Sequence, residues 1–136
     1  MAQRFRSKLM AGFLGLFFGI LGAHRAYLGQ PMAWVYPVLA LPLTGHALRE
    51  PEWWWQWSAF AVGILLVLAW LETIRIALTP VERWDARYNA GAERRSRASV
   101  WSVVIACVAL MIGTIVLMTV MALGLQSFFE FRYGLR

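Results

Sequence analysis

Residues 100–125 read VWSVVIACVALMIGTIVLMTVMALGL and contain no charged side chain. A bilayer core of about 30 Å is crossed by about 20 helical residues, so this segment is long enough to span a membrane. Segment 53–78 also has the length of a span, whereas segment 32–48 contains two prolines that are expected to kink it. A fourth apolar segment, 9–23, would reach only roughly 22 Å as a helix.

The composition of the chain indicates that lipid is its solvent. Of the 136 residues, 60% are hydrophobic and 15% are charged, and the mean hydropathy is +0.58. A soluble domain is about half apolar and about one quarter charged, so a soluble enzyme of this size would lack the polar surface to cover its apolar residues. We therefore predict an all-α integral membrane helical bundle with three to four apolar helices and a short interfacial helix between the last two.

The net charge of +6 comes from 13 basic and 7 acidic residues. The basic residues flank the apolar segments, which is typical of contact with anionic headgroups and of topology control rather than of nucleic-acid binding. The expected partners are membrane lipids and other membrane protein subunits or further copies of the chain, with no nucleic acid.

Residues that carry enzyme chemistry form no known motif in this sequence. Cys107 is the only cysteine, which excludes an internal disulfide, and we expect it to be a small buried apolar residue. The two histidines, His24 and His46, lie on opposite sides of the membrane if segment 32–48 crosses it. Neither a phosphate loop nor an H-E-x-x-H zinc motif is present. We predict a protein that is not an enzyme and takes no cofactor and no metal.

Segment 9–23 carries four glycines on one helical face, because they are spaced three, four and three residues apart. Such a row weakens a helix in water, but in lipid it lets a second helix approach closely. The alternatives are glycines that reflect membrane-helix composition alone and a cleaved signal peptide, against which Leu21 argues because residues before a cleavage site are small. We predict helix packing through Gly12, Gly15, Gly19 and Gly22.

The distribution of basic residues separates two topologies. If all four apolar segments cross, the basic residues of 4–8 and the arginines of 83–97 fall on opposite sides, against the positive-inside tendency. If 9–23 instead lies in the cytoplasmic leaflet, or dips in and returns, the other three segments cross. We favour this second topology, which leaves Arg49, Arg132 and Arg136 outside and places inside Arg4, Arg6, Lys8, Arg25, Arg75, Arg83, Arg87, Arg94, Arg95 and Arg97.

Aromatic residues lie at the ends of the apolar segments, where indole rings prefer the headgroup layer. The predicted interfacial anchors at the start of 53–78 are Trp53, Trp54, Trp55 and Trp57. A platform for a carbohydrate or a cofactor is the alternative function of this group.

Residues 79–82 read TPVE, which is a helix-capping box with proline at the first helical position. We expect a short amphipathic helix to follow it, to end before Gly91, and to lie at the membrane surface with Trp84 and Tyr88 as anchors. A solvated linker is the alternative.

Glu72 lies inside an apolar segment, about 9 Å from its end, and a carboxylate there is costly unless it is paired. Arg75 follows on the same helical face. Both topologies also place the polar end of 9–23 on the side of the membrane where 53–78 ends. Either ion pairs that join the two segments, or a proton or ion relay or a headgroup-binding site, would explain a buried polar cluster of His24, Arg25, Tyr27, Glu72 and Arg75.

Residues 7–29 read SKLMAGFLGLFFGILGAHRAYLG, which closely resembles the opening of the TM2 domain family with its G-x-H-R-F-Y-L-G-like motif. Ala26 stands where the family usually has Phe. Glu72 matches an acid in the family's last apolar segment, and 82–89, ERWDARYN, is similar to a stretch that closes with R-Y-N in bacterial members. The resemblance implies a small membrane domain with no established catalytic activity. The matching positions in 7–29 are Ala11, Gly12, Gly19, Gly22, His24, Arg25, Tyr27, Leu28 and Gly29.

We divide the chain into a TM2-like membrane domain at 1–89, a basic linker at 90–98, and an additional transmembrane helix with an aromatic C-terminal tail at 99–136. The expected location is the inner membrane of a bacterial cell, with multiple passes. The expected function is that of a non-enzymatic accessory or scaffold subunit that packs against a larger membrane protein complex or against itself. The alternative is a small transporter, channel or lipid-handling protein that uses Glu72 as its titrating group, and a membrane enzyme comes third.

Overall fold

The computed structural model describes residues 4–135, and every regular element in this range is a helix. Single turns of 3-10 helix at Gly19–Leu21 and Trp53–Trp55 stand before the second and fourth α-helices. The predicted all-helical class is confirmed. The α-helices are α1 at Lys8–Phe18, α2 at Ala23–Leu28, α3 at Val35–Ala47, α4 at Trp57–Leu78, α5 at Val81–Tyr88 and α6 at Val100–Tyr133.

Helices α4 and α6 are long and apolar enough to cross a membrane. Their 22 and 34 residues correspond to helices of about 33 and 51 Å. In the most apolar window of each, only 28% and 22% of the residues are buried, whereas the core helix of a soluble protein is mostly buried. Cys107, predicted to be buried, is exposed on α6. α1 and α3 are shorter than a span, so the predicted total of three to four spanning helices is not confirmed.

Helices α4 and α6 pack side by side in opposite directions. Near the start of α4, a Cβ atom at Gly63 would meet Val120 of α6, and near its end Ala77 shares an apolar cluster with Ile105. α6 therefore begins beside the end of α4, and its last two turns extend beyond the first residue of α4. The predicted span 100–125 is correct at its start, but the helix continues through the aromatic tail to Tyr133.

The first apolar segment enters the bundle at the end of α4. Lys8 Nζ donates a hydrogen bond of 2.7 Å to the carbonyl oxygen of Thr79, which follows α4 directly. The chain then runs antiparallel to α4 until Gly19 lies against Ala69. Ala69 is nine residues before the end of α4, so α1 and its last turn reach about 14 Å into the bundle.

Gly22 reverses the chain and returns it to the end at which it entered. Its φ of 69° lies in the left-handed region, and a Cβ atom there would come within 2.6 Å of the carbonyl oxygen of Ala33. After α2, Gln30 is again beside α5, where its side-chain amide donates to the hydroxyl of Tyr88 at 2.8 Å. The apolar segment 9–23 therefore consists of α1 and one 3-10 turn that lead into the bundle, and Gly22, at its end, turns the chain into the oppositely directed α2.

Helix α3 covers the part of α4 that α1 does not reach. At its start the hydroxyl of Tyr36 donates to Glu72, and at its end Nδ1 of His46 lies 3.0 Å from Oγ of Ser58. Its 13 residues correspond to about 20 Å, with Pro42 inside the helix. α1 and α3 therefore pack on successive halves of α4.

The loop before α6 is fixed to α5. Ser96 donates to Asp85 through both its backbone amide, at 2.8 Å, and its hydroxyl, at 2.6 Å. Ser99 then caps α6, since its hydroxyl accepts from the amide of Trp101. The division at 90–98 stays a prediction, but α6 packs along α4 and α1 in the same bundle.

Candidate functional site

The carboxylate of Glu72 is the centre of a polar cluster inside the apolar bundle. Oε2 accepts a hydrogen bond of 2.9 Å from Nε of Arg25 and lies 2.7 Å from Nε2 of His24. Oε1 accepts from Nη2 of Arg25 and, at 3.1 Å, from the hydroxyl of Tyr36. We call these four residues the Glu72 cluster. It joins α2, α3 and α4, so the single acid holds three helices together.

The members of the Glu72 cluster differ in how deeply they are buried. His24 is fully buried, while the side chains of Arg25 and Glu72 are 29% and 28% exposed. The ring of Tyr36 contacts both of these side chains of α2, with the guanidinium of Arg25 at 5.3 Å and the imidazole of His24 edge-on at 5.9 Å. The Nδ1 atom of His24 is buried with no hydrogen-bond partner among the described residues.

Two residues predicted for this cluster lie elsewhere. The hydroxyl of Tyr27 accepts from the amide of Ser7 at 2.8 Å, and its ring packs on an apolar cluster that includes Leu28 and Trp84. Arg75 is exposed at the end of α4 and lines a cleft beside Glu72. The sequence spacing placed Arg75 on the side of α4 that carries Glu72, but the guanidinium that binds the carboxylate is that of Arg25 on α2.

Tyr36 belongs to the Glu72 cluster but was absent from the prediction. No spacing in the sequence connects it to Glu72, because the contact depends on the reversal at Gly22. A usable signal existed, since a tyrosine hydroxyl in an apolar segment needs a polar partner. Glu72 was the available acid.

The four glycines of the first segment face different neighbours. A Cβ atom at Gly15 would clash with Oγ1 of Thr73, and one at Gly19 would lie 3.0 Å from Cβ of Ala69. These two glycines therefore set the close approach of α1 to α4. Gly12 instead faces Ile105 of α6, and Gly22 forms the reversal described above.

The predicted capping box before α5 does not form. The hydroxyl of Thr79 donates backwards to the carbonyl oxygen of Arg75 at 2.6 Å, so it is directed at α4, and no side chain caps the start of α5. Pro80 occupies the cap position and supplies no side-chain hydrogen bond. Thr79 directly follows the last residue of α4 as its C-cap, and its position is set by that helix.

Trp84 is a core residue and not a surface anchor. It is 1% exposed and packs with Ala11, Leu28 and Ile76. Its indole N–H donates to the carbonyl oxygen of Arg6 at 2.9 Å, and the ring centroid of Tyr88 lies 4.5 Å from its own. The apolar face of α5 is therefore turned towards α1 and α2, which overturns the predicted interfacial role of Trp84.

A second polar group, which we call the Asp85 network, fixes the segment before α1 to α5 through Arg6. The side-chain amide of Asn89 donates to Asp85 at 2.8 Å and to the carbonyl oxygen of Arg6 at 3.2 Å, and it accepts from the amide of Arg6 at 2.8 Å. Together with Ser96, these residues join three separate parts of the chain. Asn89 is fully buried and Asp85 is 6% exposed.

The Asp85 carboxylate is held in its ionised form. Burial on its own raises the pKa of Asp85, but the hydrogen bonds from Asn89 and Ser96 outweigh it and lower the pKa below its ordinary value. Sequence analysis missed this network, although Asp85 is the only aspartate in the chain.

The tryptophans at the start of α4 are largely exposed. Trp53, Trp54 and Trp57 are 48%, 41% and 64% exposed, and Trp55 is half-buried. Their place at the end of α4 opposite to the Glu72 cluster suits the predicted contact with the headgroup layer.

These features define an all-helical membrane protein. Residues 4–45 match the TM2 domain, which agrees with the first part of the resemblance predicted over about residues 7–89. The match covers α1, α2 and most of α3, including His24, Arg25 and Tyr36 of the Glu72 cluster. No curated protein and no solved structure matches the chain.

Proposed function

We propose that the protein is a non-enzymatic accessory or scaffold subunit of the cell inner membrane, which packs through α6 against a larger membrane protein or a second copy of itself. The observation that carries this proposal is the surface of α6. Only Ser102, Ile105, Ala106 and Ala109 of its 34 residues are buried. Many of its large apolar side chains, such as Met111, Ile115 and Met118, are exposed, and a partner helix would cover them.

The multi-pass topology is part of the same proposal. α1 enters and α2 returns at the end of α4, α3 leads to the opposite end, α4 comes back, and α6 crosses again. This path gathers Lys8, Arg25 and the arginines of 75–97 at one end of the bundle, which the positive-inside tendency assigns to the cytoplasm. It agrees with the topology in which 9–23 dips in and returns.

Site-specific photo-crosslinking in cells tests the packing role of α6. A photoreactive residue at Met118, which is 62% exposed on α6, should give one protein adduct of defined mass. The matched position is Leu71, which is 56% exposed on α4 and should give lipid adducts alone. Adducts of lipid alone from both positions would contradict the scaffold role.

A small transporter, channel or lipid-handling protein is the second candidate function. The unpartnered Nδ1 of His24 and the cleft beside Glu72 favour it, because a buried polar atom next to an acid is typical of an ion or proton path. Ion flux into liposomes that is lost in Glu72→Gln, with the protein still folded, would support this candidate over the scaffold.

A further inference from the structure

A cleft of about 750 Å³ opens beside the Glu72 cluster, between α2, the end of α4 and α5. Four arginines and one glutamate line it, so its charge is strongly positive. Its apolar residues include Ile76 and Leu78, which belong to the membrane-crossing helix α4. The cleft therefore places a cationic surface next to apolar residues of a helix that is long enough to cross a membrane.

The charges of the cleft are not balanced by the protein. Arg25 is neutralised by Glu72, the glutamate of the cleft. Arg75, Arg83 and Arg87 have no carboxylate at ion-pairing distance within residues 4–135. Three guanidinium groups therefore share one cavity with no counter-charge from the described chain.

The spacing of two of these arginines is itself unfavourable. Arg83 and Arg87 are four residues apart on α5, where like charges repel and destabilise a helix. The nearby acid Glu82 interacts electrostatically with Lys8 instead. An anion bound between the two arginines would remove this repulsion.

Neutral hydrogen-bond donors complete the lining. The hydroxyl of Tyr88 accepts from Gln30, so its own proton is free to donate towards the cleft that both residues line. Guanidinium groups and a phenol are the donors that bind a phosphate group well, because the planar guanidinium can give two parallel hydrogen bonds to its oxygens.

We propose that this cleft, which we call the basic cleft, binds the phosphate group of an anionic ligand through Arg75, Arg83 and Arg87. The two sources of such a group are the headgroup of an anionic phospholipid and a free phosphate compound. The position of the cleft at the end of α4, with apolar residues in its wall, favours the lipid. This inference goes beyond the scaffold role and does not depend on it.

The test compares two triple variants of the full chain in nanodiscs that contain neutral phosphatidylcholine, with or without phosphatidylglycerol. In one variant Arg75, Arg83 and Arg87 are changed to Gln, and in the matched control Arg94, Arg95 and Arg97 of the adjacent loop are changed to Gln. Both lose three charges at the same end of the bundle. Co-purified phosphatidylglycerol and its dissociation constant are measured by native mass spectrometry and by titration with a short-chain analogue.

The wild type and the loop variant should retain phosphatidylglycerol, and the cleft variant should bind it about tenfold or more weakly. Competition by inorganic phosphate at millimolar concentration would identify a free phosphate as the ligand, and its failure would identify the lipid headgroup. If both variants bound phosphatidylglycerol equally weakly, the cause would be general surface charge, and the proposal would be overturned. It would also be overturned if the wild type bound neutral phosphatidylcholine as tightly as phosphatidylglycerol.

Discussion

The two ends of the bundle are built differently. At the basic end, α1, α2, α4, α5 and α6 meet, and the Glu72 cluster and the Asp85 network connect segments up to 83 residues apart in sequence. At the opposite end, α4 packs with α3 and α6, and the tryptophans around the start of α4 are largely exposed. Hydrogen bonds between distant segments therefore specify the fold at the basic end, whereas at the opposite end His46 contacts Ser58 and large aromatic rings are exposed.

Removing the carboxylate of Glu72 should give the largest loss of stability, because it lies at the basic end. Glu72→Ala leaves His24 without its hydrogen-bond partner and the guanidinium of Arg25 without its counter-charge, and breaking a buried ion pair costs about 3 kcal/mol or more. Thermal unfolding in detergent, followed by circular dichroism, measures the loss. Glu50→Gln at the opposite end is the control and should leave the melting temperature unchanged. Equal melting temperatures for Glu72→Ala and the wild type would show that the cluster does not hold the helices together.

Glycine-to-alanine substitutions should lower the unfolding free energy where the glycine is closely packed and not where it faces open space. Gly15→Ala forces α1 away from Thr73, and over-packing of this kind costs about 1–3 kcal/mol. Gly124→Ala on α6 meets nothing within 4 Å, so the better helix propensity of alanine should stabilise the protein slightly. The sign of the two changes in unfolding free energy is the readout. A neutral Gly15→Ala would mean that α1 does not approach α4 closely.

The Asp85 network should give a pH-dependent effect of intermediate size. Because its pKa is lowered on folding, ionised Asp85 stabilises the fold above its ordinary pKa of 3.8, and this contribution is lost as the pH falls through the lowered value. Asp85→Asn should therefore cost about 1–2 kcal/mol at pH 7, and the difference from the wild type should shrink below pH 4. Unfolding free energies at pH 7, 5 and 3 test this. A difference that is the same at all three values would exclude the carboxylate as its cause.

The exposed tryptophans should contribute least to stability. Trp53→Ala at the far end removes a side chain that is 48% exposed, so the change in unfolding free energy should stay within about 0.5 kcal/mol. Trp84→Ala at the basic end removes a fully buried ring and should cost about 3 kcal/mol. If both tryptophans behaved alike in detergent melts, the distinction between core and surface rings would be wrong.

Local sequence patterns predicted the helices and the acid of the site, but not the partners of that acid. Apolar length identified α4 and α6, and the cost of a carboxylate in lipid identified Glu72. Gly22 was read as one of four packing glycines, because spacing alone does not show a positive φ. Because the chain reverses at Gly22, Arg25 and Tyr36 lie beside Glu72. Tyr27 contacts Ser7 and not the carboxylate.

The misassignment of α5 has a similar cause. Its amphipathic pattern is correct, since Trp84 and Asp85 are buried while Arg83 and Arg87 face outward. Periodicity shows which face is apolar, but not whether lipid or protein covers it. The surface supplied by α1 and α2 became apparent only in the assembled bundle.

The proposed topology is tested by the side of the membrane on which the chain emerges after α1 and α2. Single cysteines at Pro31, Glu50 and Arg94, in a chain with Cys107→Ser, are labelled in intact cells with a maleimide that cannot cross the membrane. All three original residues are exposed. We expect labelling at position 50 alone, with positions 31 and 94 labelled only after the membrane is opened. Labelling of position 31 together with position 50 in intact cells would contradict it, because the first segment would then cross the bilayer.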